Sequence, residues 1–245
     1  MRLLDATAGF GTYRTRVFRS ARTAAELVEQ LEFCGIDEAL VYHTAQRFDH
    51  PVRGNARLLE DMAGCPMLMP TWTILPSATG EQLPAKDLLQ DMRERHVRAL
   101  RLFPQDHRYF LDAVSWHDQV PLYAERRIPL FLKAGLDRVA EFMRAFPDAT
   151  VITDTQGANP LDRYAWPLLD AYPNLYFETA GYLTAGAIEA CCQRFGASRL
   201  VFSSGFPDYA SGAALLTLAG AEISQEQRDA IAAGNLTRLL AQAQL

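Results

Sequence analysis

Short apolar or β-branched runs alternate with longer helix-period stretches along the whole of this chain, and no other feature restricts its fold so tightly. Runs of that kind bounded by turn residues read as strands, and the stretches between them carry the 3.6-residue rhythm of helices. The spacing predicts strands at 2–6, 38–43, 67–72, 97–103, 128–133, 150–154, 174–178 and 200–203. Helices are predicted over 23–35, 55–63, 86–95, 111–126, 136–145, 161–171 and 185–195, with a closing helical stretch ending at Leu240. Thr23 with Glu26 three residues on fits a capping box, and Gly35 fits a helix stop. Strict alternation implies parallel strands with right-handed crossovers, and eight units are the number that closes an α/β barrel of the (β/α)8, or TIM, type. A doubly wound open sheet is the alternative, against which stands the lack of a Gly-rich nucleotide fingerprint after the first strand.

At 245 residues, with no low-complexity tract or Gly/Ser-rich linker, the chain is expected to form one domain over 1–245. The cysteines, Cys34, Cys65, Cys191 and Cys192, make no C-x-x-C pair and no zinc-like spacing, so they are expected to be reduced packing residues of a cytoplasmic protein. A net charge of -5 with both signs scattered supplies no basic stripe for nucleic acid and no polybasic membrane anchor. Neither a membrane span nor a secretion signal is expected. A small-molecule substrate or ligand is the expected partner, and a homo-oligomer is compatible with the sequence.

In a barrel of this kind the active site sits at the C-terminal ends of the strands and on the loops that follow. That rule selects Asp5 and Thr7 from strand one, His43 and Thr44 from strand two, Trp72 from strand three, and Arg101 with Gln105 from strand four. Lys133, Asp154, Glu178 and the pair Ser203 and Ser204 come from the last four. Charges near a barrel axis are costly unless paired or hydrated, so Arg101, Lys133, Asp154 and Glu178 are expected to meet in one cavity. His43 is placed for acid–base work or, equally, for a satisfied structural role. His107 and Tyr109 lie on a loop that would fold over the pocket, and Trp72, Tyr109 and Tyr182 are candidates for its wall.

Two motifs at the end of the chain resemble a known family. Leu200-Val-Phe-Ser-Ser-Gly-Phe-Pro207 is similar to the F-G-S-D-F-P strand of amidohydrolase-related barrels, and Ile231-Ala-Ala-Gly-Asn-Leu-Thr-Arg-Leu-Leu240 to their closing I-x-x-x-N-A-x-R-L helix, where Asn235 looks like a structural tie. The opening D-x-H-x-H-x-G of that family corresponds to Leu4-Asp-Ala-Thr-Ala-Gly-Phe-Gly11, which puts Thr7 and Gly9 where two metal-binding histidines would stand. Lys133 in Leu130-Phe-Leu-Lys-Ala-Gly135 takes the place of a strand-five histidine, Asp154 in Val151-Ile-Thr-Asp-Thr-Gln-Gly157 that of a strand-six histidine, and Gly205 that of the strand-eight aspartate. Among those positions only Asp154 keeps an anionic ligand, and an ion needs three or four.

The resemblance therefore implies a barrel without the usual metal and with no other cofactor. It implies a metal-independent hydrolase or lyase for a small carboxylated or carbonyl compound, with Lys133 and Arg101 binding the anion and Asp5 or Asp154 moving the proton. His43 is a further catalytic candidate, and Glu178, Trp72, His107, Tyr109, Tyr182 and Ser204 complete the expected binding surface. Three alternatives stay open: a ligand-binding barrel that has lost catalysis, a metal enzyme with relocated ligands such as Asp5, His43 and Asp154, and a Schiff-base lysine at 133.

Overall fold

The computed structural model describes residues 1–14, 19–154, 162–182 and 184–245. Its strands are β1 (Leu4–Phe10), β2 (Glu38–His43), β3 (Leu68–Pro70), β4 (Trp72–Thr73), β5 (Leu100–Leu102), β6 (Leu130–Leu132), β7 (Val151–Asp154), β8 (Leu175–Glu178) and β9 (Leu200–Val201). Every pairing between them is parallel. The predicted third strand appears as two pieces, because β3 pairs with β2 while β4 pairs with β5. The change of partner falls at Pro70-Thr71, where proline has no N–H for the ladder, and Thr71 N donates to Val41 O at 3.0 Å.

Ring closure comes from the two ends of the chain. Ala6 N donates to Phe202 O at 2.9 Å and Gly9 N to Phe206 O at 2.8 Å, joining β1 to the segment after β9. With β3 and β4 counted as one stave, the chain forms the (β/α)8 barrel that the alternation predicts.

Strand alternation then sorts side chains between two apolar clusters. Leu4, Ala6, Leu40, Ala99, Phe131, Ile152 and Val201 form the inner one. Their neighbours in sequence, among them Leu100, Leu102, Leu130 and Leu132, pack outward under the helices. The helix Asn235–Gln242 closes the lower end, placing Leu236, Leu239 and Leu240 in the inner cluster. It is anchored by Asn235, whose Nδ2 donates to Ala197 O and Leu200 O, each at 2.8 Å. The structural tie expected from the sequence is thus in place.

Several predicted helices change on folding. The stretch 111–126 is two short helices, Ala113–Trp116 and Val120–Glu125. Pro121 belongs in a first turn rather than a helix interior, and the Gln119 side chain leaves the helix axis to donate to Leu75 O at 3.1 Å and accept from Ser77 N at 3.0 Å. The first helix runs Ala24–Phe33 with Thr23 accepting from Glu26 N. The Glu26 carboxylate takes Arg22 N rather than completing the predicted box. The closing stretch is split into Ser211–Gly220, Gln225–Asp229, a π-helical turn at Ala230–Gly234 and Asn235–Gln242. Arg16, which the sequence places with Gly9 and Gly11 in a loop following the first predicted strand, lies outside the described residues, as do Leu161 and the Thr155-Gln-Gly157 end of the strand-six motif. Among the described residues no helix is long and apolar enough to cross a membrane.

Candidate active site

The C-terminal ends of the staves converge on one small cavity of about 30 Å³. Arg101, Lys133, Asp154 and Glu178 all line it, so the four charged groups singled out in the sequence do meet there. Alternation explains the placement: Ile152 of the inner core and Asp154 share one face of β7, so the acid continues a wall whose lower part is apolar. Buried charge has to be paired or hydrogen-bonded, and here the pairing falls into two groups.

The first group is built around Thr7. Its Oγ1 donates to Glu178 Oε1 at 2.5 Å and accepts from Arg101 Nη1 at 3.0 Å. Arg101 also donates through Nε to Thr71 Oγ1 at 2.7 Å and through Nη2 to Ala6 O at 2.9 Å. Its guanidinium lies 4.5 Å from the Phe131 ring centre and 5.3 Å from that of Tyr42. Burial pushes the Glu178 carboxyl above the ordinary range against the pull of Arg101 and Thr7. Burial likewise lowers Arg101, with Glu178 opposing.

The second group is a chain of alternating charge. Lys133 Nζ lies 3.3 Å from Asp154 Oδ2 and 2.9 Å from Asp208 Oδ2. Asp208 Oδ2 is also 3.2 Å from Arg47 Nη1, and Arg47 Nε is 2.8 Å from Asp106 Oδ2. Burial by itself would lower the Lys133 ammonium, but Asp154 and Asp208 outweigh it and hold it above its usual value. For Asp208, burial is outweighed in the same way by Lys133 and Arg47, which keep its carboxyl low. A lysine held charged is a poor nucleophile, so the Schiff-base role does not fit. The other oxygen of Asp154, Oδ1, is buried with no hydrogen-bond partner among the described residues, and the residue lines the cavity.

Other candidates are placed elsewhere. His43 caps the helix Thr44–Phe48, its Nδ1 accepting from Ala45 N at 3.1 Å, and faces a separate surface depression with Gly11 and Phe48. Burial lowers its pKa against the pull of Asp61, which favours the neutral imidazole that such a cap requires. His107 is fixed through Nε2 to Arg47 O at 3.1 Å, and Tyr109 packs edge-on against Trp116. Trp72 and Tyr182 are buried in the outer core. Ser204 is a corner residue, its N donating to Asp5 Oδ1 at 2.8 Å and its Oγ accepting from Phe206 N at 3.1 Å. None of these lines the cavity. Asp208, Arg47 and the bridging role of Thr7 were not selected by the strand-tip rule. Asp208 had a sequence signal, an acid three residues beyond Gly205 in Ser-Gly-Phe-Pro-Asp.

Asp5 is also off the cavity wall. It is fully buried, with Oδ1 accepting from Ser204 N and Thr7 N and Oδ2 without a hydrogen-bond partner among the described residues. Burial is the main cause that pushes its pKa to about 7. Because the folded value lies above the unfolded one, the native state holds the extra proton, and stability is full below about pH 4 and lost as pH rises toward 7. Urea titrations should therefore show wild type losing a few kcal/mol relative to Asp5→Asn between about pH 4 and 7. Parallel pH curves for the two proteins would contradict this.

The seats of a metal site are occupied by other atoms. A Cβ on Gly9 would lie 2.5 Å from Tyr42 Cζ and 2.6 Å from the Tyr13 hydroxyl. At Gly205, where φ is +61°, a Cβ would meet Tyr209 Cδ2 at 2.6 Å and Ala180 Cβ at 2.8 Å. Lys133 adds a fixed positive charge 3.3 Å from Asp154. Among the described residues no group of three His, Cys, Asp or Glu side chains is placed to hold a metal ion, and residues 15–18, 155–161 and 183 contain none of those types. Asp5, His43 and Asp154 do not converge as a relocated set, since Asp5 lies off the cavity wall and His43 faces a different depression. The donor set therefore does not fit the divalent ion that the family resemblance implies.

Comparison with known families decides the kinship. The Amidohydrolase family matches residues 18–241. This chain belongs to the amidohydrolase family. No curated protein matches it in sequence. Among solved structures, this amidohydrolase-family protein is similar to an uncharacterized TIM-barrel protein of Bordetella bronchiseptica, at 17% identity over 99% of both chains with a TM-score of 0.76. It is similar to a dihydroxybenzoic acid decarboxylase of Polaromonas sp. JS666 carrying manganese and 2-nitroresorcinol, at 16% identity over 98% of this chain and 97% of that one, TM-score 0.75. A putative 2-pyrone-4,6-dicarboxylic acid hydrolase of Pseudomonas putida matches at 16% identity over 98% of both, TM-score 0.71. At such identities the likeness establishes the shared fold.

Proposed function

We propose that this amidohydrolase-family protein is a metal-independent hydrolase or lyase acting on a small carboxylated or carbonyl compound at the C-terminal mouth of the barrel. The observation that carries this reading is the pair formed by the charged Lys133 and Asp154, both lining the cavity, with Asp154 Oδ1 buried and without a hydrogen-bond partner among the described residues. The ammonium supplies the positive charge that orients a carboxylate or polarises a carbonyl. Asp154 Oδ1 accepts a proton or orients a water, and Glu178, raised by burial and linked to Thr7, is the second group able to hold a proton beside the same space. Arg101, with its donors turned to Thr7, Thr71 and Ala6, supports Glu178 rather than standing free as an anion clamp. Two structural neighbours are named for carboxylated compounds, which supports the substrate class.

The test is a screen of aromatic and lactone carboxylates with purified protein, run with chelator and again with added manganese or zinc. Turnover is expected to be indifferent to both, with substoichiometric metal by elemental analysis. Activity that disappears with chelator and returns with manganese would overturn metal independence. A second reading, a ligand-binding barrel without catalysis, is favoured by the small cavity and by the ion pairs that fill its mouth. Tight binding of a screened compound with no product would select it.

A further inference from the structure

Asp208 occupies an unusual position in the charge chain. A single oxygen of its carboxylate, Oδ2, lies 2.9 Å from Lys133 Nζ and 3.2 Å from Arg47 Nη1. The two cations come from different parts of the barrel mouth, Lys133 from the end of β6 and Arg47 from the helix that follows β2. Each also has a second partner that does not depend on Asp208. Lys133 is held by Asp154, and Arg47 by Asp106 and by the Phe48 ring 4.8 Å away. Without Asp208, both cations would still be aimed at the same point.

Exposure separates the fixed acid from the exchangeable one. The Asp154 side chain is 6% exposed, whereas that of Asp208 is 30% exposed and sits on the loop after β9, reached directly from solvent. The cavity is small, and Tyr42, Phe103 and Tyr209 line it together with Asp208, the more exposed of its two aspartates.

We infer that the Lys133–Arg47 pair is a carboxylate seat filled in the free protein by Asp208, and that a monocarboxylate ligand enters by exchanging with that side chain. The inference deepens the proposed function and rests on it for the role of Lys133 as an anion holder. Charge balance sets the ligand class. Two cations already face the three acids Asp106, Asp154 and Asp208, so exchange of one carboxylate for another leaves the local charge unchanged. A dicarboxylate would bring a further negative charge beside the buried Asp154 and is disfavoured. Aromatic side chains on the cavity wall suit a flat apolar body behind the carboxylate.

Benzoate and phthalate serve as probes, measured by calorimetry on the full chain. An internal competitor that fills a seat about nine-tenths of the time weakens a ligand about tenfold. Asp208→Asn and Asp208→Ser are therefore expected to bind benzoate about tenfold more tightly than wild type, and wild type to prefer benzoate over phthalate. Lys133→Met is expected to abolish benzoate binding in wild-type and Asp208→Asn backgrounds alike. If Lys133→Met abolishes binding but both Asp208 variants bind as wild type or more weakly, the exchange is overturned and the role of Lys133 stands. If benzoate binds equally well without Lys133, or binds none of the proteins, the anion-holding reading beneath it fails as well.

Discussion

Arg101→Ala is expected to destabilise the fold by about 3–5 kcal/mol, the usual cost of removing one partner from a buried charged network. The guanidinium is almost wholly buried and donates to Thr7, Thr71 and the Ala6 carbonyl. Its removal leaves the buried Glu178 carboxylate without its largest favourable charge, with the Thr7 hydroxyl and the weaker pull of Lys133 remaining. The Glu178 carboxyl, already raised, should rise further, so the variant will be least stable at high pH and recover part of the loss as pH falls. Arg101→Met combined with Glu178→Gln should be more stable than Arg101→Ala alone, because no lone charge remains. Lysine should not rescue, since a point charge cannot reach three acceptors in fork geometry. Urea unfolding at two pH values checks all of this. A loss below about 1 kcal/mol for Arg101→Ala at both pH values would show that the network is not what holds Glu178.

Lys133→Ala and Asp154→Asn are expected to lower kcat/KM by about 10²–10⁴-fold, the range spanned by lost electrostatic stabilisation and lost proton transfer. The two should divide differently. Without the Lys133 ammonium a carboxylated substrate loses its anchor, and KM rises along with the fall in kcat. Asp154→Asn keeps size and hydrogen bonding but no longer accepts a proton, so kcat should carry most of its loss. Neither change should unfold the protein. Lys133 is partly exposed, and the Asp154 amide would still face Lys133. Steady-state kinetics on a substrate found in the screen, with thermal unfolding alongside, separates the effects. Unchanged kcat/KM in both variants would refute the assignment of the site.

The residues from the strand-tip rule that line the cavity share one property: they continue the inward face of a strand whose period was readable. Arg101, Asp154 and Glu178 follow from alternation on β5, β7 and β8, and Lys133 from the end of β6. His43 has the same kind of position but serves as a helix cap, because its ring nitrogen finds Ala45 N before it can reach the cavity. Trp72 and Tyr182 were legible as large apolar groups, yet their burial side was not. Asp208 and Arg47 escaped because they sit on loop and helix segments without strand periodicity, and they meet only when residues 161 apart in sequence come together.

From the sequence alone came the eight-fold alternation, the resemblance to the amidohydrolase family, and Thr7, Gly9, Lys133 and Gly205 at positions where that resemblance expects metal ligands, since each is written in local pattern and short motifs. Tertiary structure alone decided that Tyr42 and Tyr13 crowd Gly9, that Tyr209 and Ala180 crowd Gly205, that Asp5 is a buried acid behind the site, and that Asp208 lies between Lys133 and Arg47. The reason is physical: periodicity settles which way a strand residue points, whereas pairing energy, burial and proton affinity depend on which distant groups share the same few ångströms.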